Sequence, residues 1–542
     1  MLNGLMMDRP LSVPSILDYA AEIHGDRMIV SRRIEGDLHR QSYAETRDRA
    51  LRLASALRNL QIAPGDRVAT LAWNGYRHLE LYYAIAGIGA VCHTINPRLF
   101  PDQITWIANH AEDRVLFFDA DLAPLVAKLA PGLPPGIVLV CLCSPADLPA
   151  DAPVGTLAYE DLIAAQEPAA DWTELPERAA SGLCYTSGTT GNPKGALYSH
   201  RSTVLHAMSA ALSIPTSFGT DQKILPVVPL FHVNAWGLPF SAPMAGSDLV
   251  MPGPRLDGAS LFSLMDGEGG TAGWGVPTVW AGLIDEMRRQ GRKPSALHTL
   301  LIGGSAVSEA QIRALEAEFG ISVIHGWGMT ELSPLGTATR PRADLPLEQR
   351  IASKLPQGKR LFGIELRIVD DQGQPQPQDG TSVGELAVRG NSVVCGYFND
   401  ANASEKALDR QGWFRTGDVS RIAPDGAMTI VDRTKDLIKS GGEWISSIDI
   451  ENAALSCPGV RQAAAIGISD EKWGERPLLV VVAEAGSAVT PEQMTTYLAR
   501  NLAKWQIPQH ITFRDSLPMT ATGKVSKLEL RRLIADDGID LD

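Results

Sequence analysis

The chain has 542 residues, 44% of them hydrophobic, which is enough for several domains' worth of buried core. Its 49 Lys and Arg against 62 Asp and Glu give a net charge of −13, which argues against nucleic acid as a general partner and confines any positive potential to a local site. Six scattered cysteines, Cys92, Cys141, Cys143, Cys184, Cys395 and Cys457, show no zinc-type pairing beyond the lone Cys141-x-Cys143 and read as reduced core thiols, and no signal-peptide pattern opens the sequence.

In chain order, Ala50, Leu51, Leu53, Ala54, Leu57 and Leu60 recur at helical spacing and give way at Pro64-Gly65 to a buried strand over 67–72. A second apolar helix over 79–87 and strand-like runs at 90–95, 115–118 and 137–142 continue the alternation, which predicts an α/β sheet with both faces covered. Residues 145–176 turn to Pro, Ala and Asp and read as a surface connection. Next comes LCYTSGTTGNPKGALYS (183–199), in which two apolar runs suited to a hairpin flank a Gly/Ser/Thr loop. Its glycines allow close backbone approach, and backbone N–H groups, the hydroxyls of Thr186, Ser187, Thr189 and Thr190, and the Lys194 ammonium would surround phosphate oxygens with donors, beside Gly188. Lys194 is followed by Gly195 and no helix pattern starts there, so the loop is not of the P-loop NTPase type.

The uncharged stretch 224–247 has the length of a membrane span, but four prolines with His232 and Asn234 make it a pocket wall instead. Gly267 to Ala272 matches G-x-G-x-x-A after a helical pattern, so a dinucleotide site is discarded. Two strands then end in glycine-rich turns, one at Gly303-Gly304-Ser305 and one over 326–331 that carries Trp327, Thr330 and Glu331. Strand ends are where α/β proteins seat ligands. A boundary is expected near Asp432, followed by a nearly charge-balanced α+β unit with a helix over 446–455, strands at 462–466 and 478–482, and a helix capped by Thr490, Pro491 and Gln493.

Together with GWGMTE (326–331), WFRTGD (413–418), DRTKDLIKSGGE (432–443) and PMTATGKVSK (518–527), the phosphate-loop segment resembles the adenylate-forming superfamily of acyl-CoA synthetases, adenylation domains and beetle luciferases. The resemblance runs from about residue 42 to about 533. It implies a large multi-sheet α/β domain over 1–431, a small mobile α+β domain over 432–542 and a hinge at 432–433. The chemistry implied is activation of a carboxylic acid by ATP with Mg²⁺ to acyl-AMP and pyrophosphate, then transfer of the acyl group to CoA.

By that resemblance Lys524 bridges the substrate carboxylate and the α-phosphate, and Thr330 touches the α-phosphate. Glu331 with Thr186 holds Mg²⁺, and Asp418 with Arg433 meets the ribose or phosphates. Gly303, Gly304, Ser305, Gly326, Trp327, Gly328, Met329 and Ile430 surround the nucleotide, with Trp327 stacking on adenine. Lys439, Gly441, Gly442, Glu443 and Trp444 border the CoA arm, and His232, Asn234, Trp236, Gly237, Gly275, Val276 and Pro277 line the acid. His232 is counted with Lys524, Thr186 and Glu331 among the catalytic positions. Alone, the loop also fits a flexible linker, Asp418 an ordinary turn, and Trp327 and His232 core packing. Met519 stands where relatives often carry arginine, and Trp327 where many carry tyrosine.

HTINPRL (93–99), FHVNAW and GWGMTELSP look most like medium- to long-chain fatty-acid and 3-methylmercaptopropionate CoA ligases, a likeness that implies a homodimer. The charge balance implies no nucleic-acid partner, and the proline-broken stretch with the missing signal pattern implies a cytoplasmic protein without a membrane span. Luciferase-like oxygenation of the adenylate and loading of a carrier domain are the rival readings; no carrier-type serine segment follows Asp542.

Overall fold

Where apolar residues repeat at helical spacing behind a capping residue, helices form. Ser42 caps the helix Tyr43–Asn59, its hydroxyl accepting from the Glu45 N–H while the Glu45 carboxylate returns to the Ser42 N–H. The strand Arg67–Leu71 follows, then the helix Tyr76–Gly87, buried along its whole length. The computed structural model describes residues 1–186, 192–440, 443–470, 472–484, 486–487, 489–520 and 525–537.

Among the described residues, two large sheets carry the first part of the chain. A seven-stranded sheet runs Leu157–Ala158, Val138–Cys141, Asp113–Phe118, Arg67–Leu71, Val91–Thr94, Ala180–Tyr185, Gly195–Ser199 and is parallel except for its final hairpin. A nine-stranded sheet has a parallel centre made of Met28–Arg32, Asp248–Met251, Lys223–Pro226, Ala272–Gly275, Thr299–Ile302 and Ser322–Gly328. The helix Tyr76–Gly87 contributes to a core that draws on both sheets. A four-stranded antiparallel sheet ends at Met428–Arg433, and beyond it a five-stranded sheet, with the helices Ser447–Leu455, Pro491–Leu498 and Lys527–Asp537, has its own cores. The mixed α/β class and the small α+β unit thus match the expectation. The Thr490 cap with Gln493 forms as expected too.

Three expectations need correction. Residues 145–176 are not only a surface connection, because the helix Tyr159–Ala164 lies within them and Tyr159 is fully buried, its hydroxyl donating to Glu80 at 2.6 Å. Glu80 is itself buried and accepts from Arg49 Nε at 2.6 Å and Gln41 Nε2 at 2.9 Å, so a paired charge recruits this segment into the core. Trp327 belongs to the strand Ser322–Gly328, paired with Thr337, and the turn begins only at Met329. Cys395 is exposed, whereas the other five thiols are free and buried. Among the described residues no helix is long and apolar enough to cross a membrane.

Candidate active site

The phosphate-loop hairpin closes as its two apolar runs require, with Cys184 opposite Ala196 and Tyr185 opposite Gly195. Thr186 donates its N–H to the Lys194 carbonyl at 2.9 Å, which pins the loop's two ends together. A Cβ on Gly195 would lie 3.1–3.2 Å from Leu183, Phe398 and Tyr185, so only glycine fits this close crossing without displacing a neighbour. Ser187, Gly188, Thr189 and Thr190 lie outside the described residues.

Phe398 donates its N–H to the Gly195 carbonyl at 2.8 Å, bringing residues 394–398 against the hairpin. The exposed Lys194 ammonium therefore sits 5.0 Å from the centroid of the Tyr397 ring. The Tyr397 hydroxyl donates to Glu331 Oε1 at 2.7 Å. Burial pushes the Glu331 carboxyl up, while the Tyr397 hydroxyl and the charges of Arg433 and Lys194 pull it down. Burial together with the Glu331 charge raises the Tyr397 phenol, so it remains a donor. A buried carboxylate facing a lysine, with one oxygen held by a phenol, has the hard-oxygen chemistry suited to a magnesium ion.

The strand ends close the same space. Tyr198 donates its hydroxyl to the Thr330 carbonyl at 2.7 Å. Trp327 Nε1 donates to Asp418 Oδ2 at 2.8 Å, and Arg433 Nε lies 3.0 Å from Asp418 Oδ1. Asp418 and Arg433 face each other across neighbouring strands. The Trp327 indole is buried with Gly336 against it, where a Cβ would come within 2.6 Å. Ile430 donates its N–H to Gln357 Oε1 at 2.7 Å. Gly328 and Met329 are half-buried, and Ser305 is exposed beyond Gly304, which has φ of +83°.

The uncharged stretch adjoins this cluster. The Trp236 indole rests on Gly303, where a Cβ would lie 3.3 Å from the ring, and Gly303 donates to the Gly275 carbonyl at 3.3 Å. Val276 and Pro277 begin the helix Pro277–Gln290 beside them. Gly237 packs on His206, a neutral ring whose pKa burial lowers to about 4 and whose Nε2 accepts from the Leu335 N–H at 3.0 Å. His232 is half-buried at the start of a turn that carries buried Asn234.

Lys439 and Trp444 pair across their own hairpin, with the ammonium 5.1 Å from a half-exposed indole. Among the described residues no hydrogen bond or ion pair joins them to the Asp418 and Glu331 cluster. Lys524, Gly441, Gly442 and the Glu443 side chain lie outside the described residues. The structure thus gathers Thr186, Lys194, Thr330, Glu331, Trp327, Asp418, Arg433, Gly303, Gly275 and Trp236, and sets Lys439 and Trp444 apart. Sequence reasoning missed the roles of Tyr397, Tyr198 and Gln357, which arise from contacts between distant segments; the local signals were the two aromatics of GYFND and the place of Tyr198 within the loop segment itself.

The chain matches the protein family described as AMP-binding enzyme over residues 17–398, and the AMP-binding enzyme C-terminal domain over 449–524. It is 47% identical to the medium-chain-fatty-acid–CoA ligase of Ectopseudomonas oleovorans, over 98% of each chain. It is 46% identical to the 3-methylmercaptopropionyl-CoA ligase of Ruegeria lacuscaerulensis, over 97% of this chain and 98% of that one. In fold it resembles an anthranilate CoA ligase crystallised with anthranoyl-AMP, with a TM-score of 0.88 at 23% identity, covering 98% of this chain and 99% of the other.

Proposed function

Because the chain belongs to the AMP-binding enzyme family and is an acyl-CoA synthetase that works through an acyl-adenylate, we propose that its acid is a medium-length straight-chain fatty acid and assign the gathered residues their roles in that reaction. ATP, Mg²⁺ and CoA are the reactants and cofactor of this ligase class. A carboxylate does not react with a thiol at neutral pH because hydroxide is a poor leaving group; adenylation replaces it with AMP.

The observation that carries the assignment is the pair of contacts made by Tyr397, one to Lys194 of the phosphate loop and one to buried Glu331, next to Asp418 and Arg433. In this reading the loop and Lys194 bind the β- and γ-phosphates, and Asp418 with Arg433 orients the ribose. Thr330 lies at the α-phosphate, and Lys524 bridges carboxylate and phosphate. Glu331 and Thr186 would hold Mg²⁺, which neutralises charge on the departing pyrophosphate. The chain from His232 to Gly237, meeting Gly303 and Gly275, forms the acid's wall. Its uncharged, buried lining favours an alkyl chain. A unit from residue 432 onward then swings to bring Lys439, Gly441, Gly442, Glu443 and Trp444 to the thiol, and the working form is a cytoplasmic homodimer.

The 46% identity to a 3-methylmercaptopropionyl-CoA ligase supports a second acid, a short thioether-bearing one. Acid-dependent AMP release with CoA, measured for straight-chain acids from acetate to palmitate and for 3-methylthiopropionate, decides between them. A maximum at medium chain length supports the proposal, and a maximum at 3-methylthiopropionate replaces it with the second reading.

A further inference from the structure

Val233, Asn234, Ala235 and Trp236 have φ values of 47, 53, 45 and 56°, and Gly237 follows at 83°. Four consecutive non-glycine residues in the left-handed region, one of them β-branched, make a turn that the isolated chain would avoid. Such a conformation persists only where its surroundings over-determine it.

The surroundings that hold this turn come mainly from the helix Tyr76–Gly87 and the loop before it. Asn74 Nδ2 donates to the Val228 carbonyl at 2.9 Å, and Asn74 Oδ1 accepts the Leu230 N–H at 2.7 Å, which fixes the approach. Ala235 donates its N–H to the Pro229 carbonyl at 3.2 Å. The turn itself is gripped by Tyr82, whose buried hydroxyl lies 2.7 Å from the Leu230 carbonyl and 3.0 Å from Asn234 Oδ1, with the Cys184 thiol donating to the same Oδ1 at 3.4 Å. At the far end of the turn, the Trp236 indole lies on Gly303.

We propose that Tyr82 is a positioning residue that sets acid selectivity: its hydroxyl holds the left-handed turn Val233–Trp236, and the turn holds the Trp236 indole against Gly303. This rests on the reading of that wall as the acid's side of the site. The tether matters because L side chains resist the left-handed region, so a glycine in the turn should make it dispensable. The test uses full-length Tyr82→Phe, Ala235→Gly, the double variant and Trp236→Ala. For each, kcat/KM is measured over acids from butyrate to palmitate, with KM for ATP and Tm.

Tyr82→Phe is expected to shift the ratio of kcat/KM between short and long acids by about tenfold with KM for ATP unchanged. Ala235→Gly alone is expected to raise Tm, against the usual cost of glycine, and the double variant to regain the wild-type ratio. A lowered Tm with an unmoved ratio in Tyr82→Phe overturns the proposal, as does a double variant that keeps the shifted ratio or an Ala235→Gly protein with lowered Tm. If Trp236→Ala also leaves the ratio unmoved, the reading of the wall fails with it. If Trp236→Ala moves the ratio and Tyr82→Phe does not, only the tether fails.

Discussion

At the scale of single residues, the Tyr397 ring face meets Lys194 and its hydroxyl meets Glu331, so one side chain serves two charges of opposite sign. Tyr397→Phe keeps the ring and removes the donor. It is expected to raise the Mg²⁺ concentration giving half-maximal acid-dependent ATP–pyrophosphate exchange by about tenfold, the size of effect typical for partners of metal ligands. Tyr397→Ala should add a rise in KM for ATP by freeing Lys194. Magnesium titrations of both variants check this, and a Phe variant that titrates like the wild type would show the hydroxyl to be dispensable. Lys524→Ala should slow adenylate formation about 10²–10³-fold, comparable to deleting one oxyanion donor, and leave thioester formation from supplied acyl-AMP and CoA intact. Equal damage to both half-reactions would remove Lys524 from its proposed role.

At the scale of elements, Asp432 links two of them. Its Oδ2 accepts both the N–H and the hydroxyl of Ser447 at 2.6 Å, gripping the first turn of the helix Ser447–Leu455, and Lys527 reaches the same hydroxyl at 2.5 Å. A proline at 432 would therefore remove a buried acceptor as well as fix φ. Asp432→Asn retains an acceptor and is the proper reference. Relative to it, Asp432→Pro is expected to keep acid-dependent exchange and lose most acyl-CoA production; equal thioester rates in the two would place the pivot elsewhere.

Elements were legible in the sequence where their signal is local. The spacing from Ala50 to Leu60 and the paired apolar runs around the phosphate loop need no distant partner to declare helix and hairpin. What escaped depends on distance along the chain. Glu331 and Tyr397 are 66 residues apart, and Tyr159 reads as surface until Glu80, 79 residues away, claims its hydroxyl. The VNAW turn reads as an ordinary apolar run because nothing in those residue types announces positive φ. The motifs named the proposed site's members by resemblance, and the contacts that orient the described ones came only from the fold.

At the scale of the whole molecule, burial holds the imidazoles of His78, His200, His206 and His325 down to about 4. Each is neutral when folded and takes a proton near 6.5 when unfolded. Their contribution is thus intact above about pH 6.5 and lost as pH falls toward 4. Buried Asp119, held up to about 7, has the opposite slope over the same range, so the histidine effect is best read as a difference. His78 bonds the Thr70 hydroxyl at 2.9 Å and the Trp73 carbonyl at 3.0 Å, and His78→Asn keeps a donor without titrating. Between pH 7 and pH 4 the stability difference should move in favour of the Asn variant by at most about 3 kcal/mol. Denaturant midpoints across that range measure it, and a pH-independent difference would mean that His78 does not stay neutral.

The bond from Phe398 to Gly195 also has a consequence in time. A ribosome makes the phosphate-loop hairpin early, yet the segment that braces it arrives about 200 residues later, an interval of about 10–40 s at ordinary elongation rates. Until then neither Tyr397 nor Phe398 exists to steady Lys194 or Glu331. The growing polypeptide should therefore be unable to retain ATP until most of its length has emerged, so nucleotide binding lags well behind the synthesis of the hairpin.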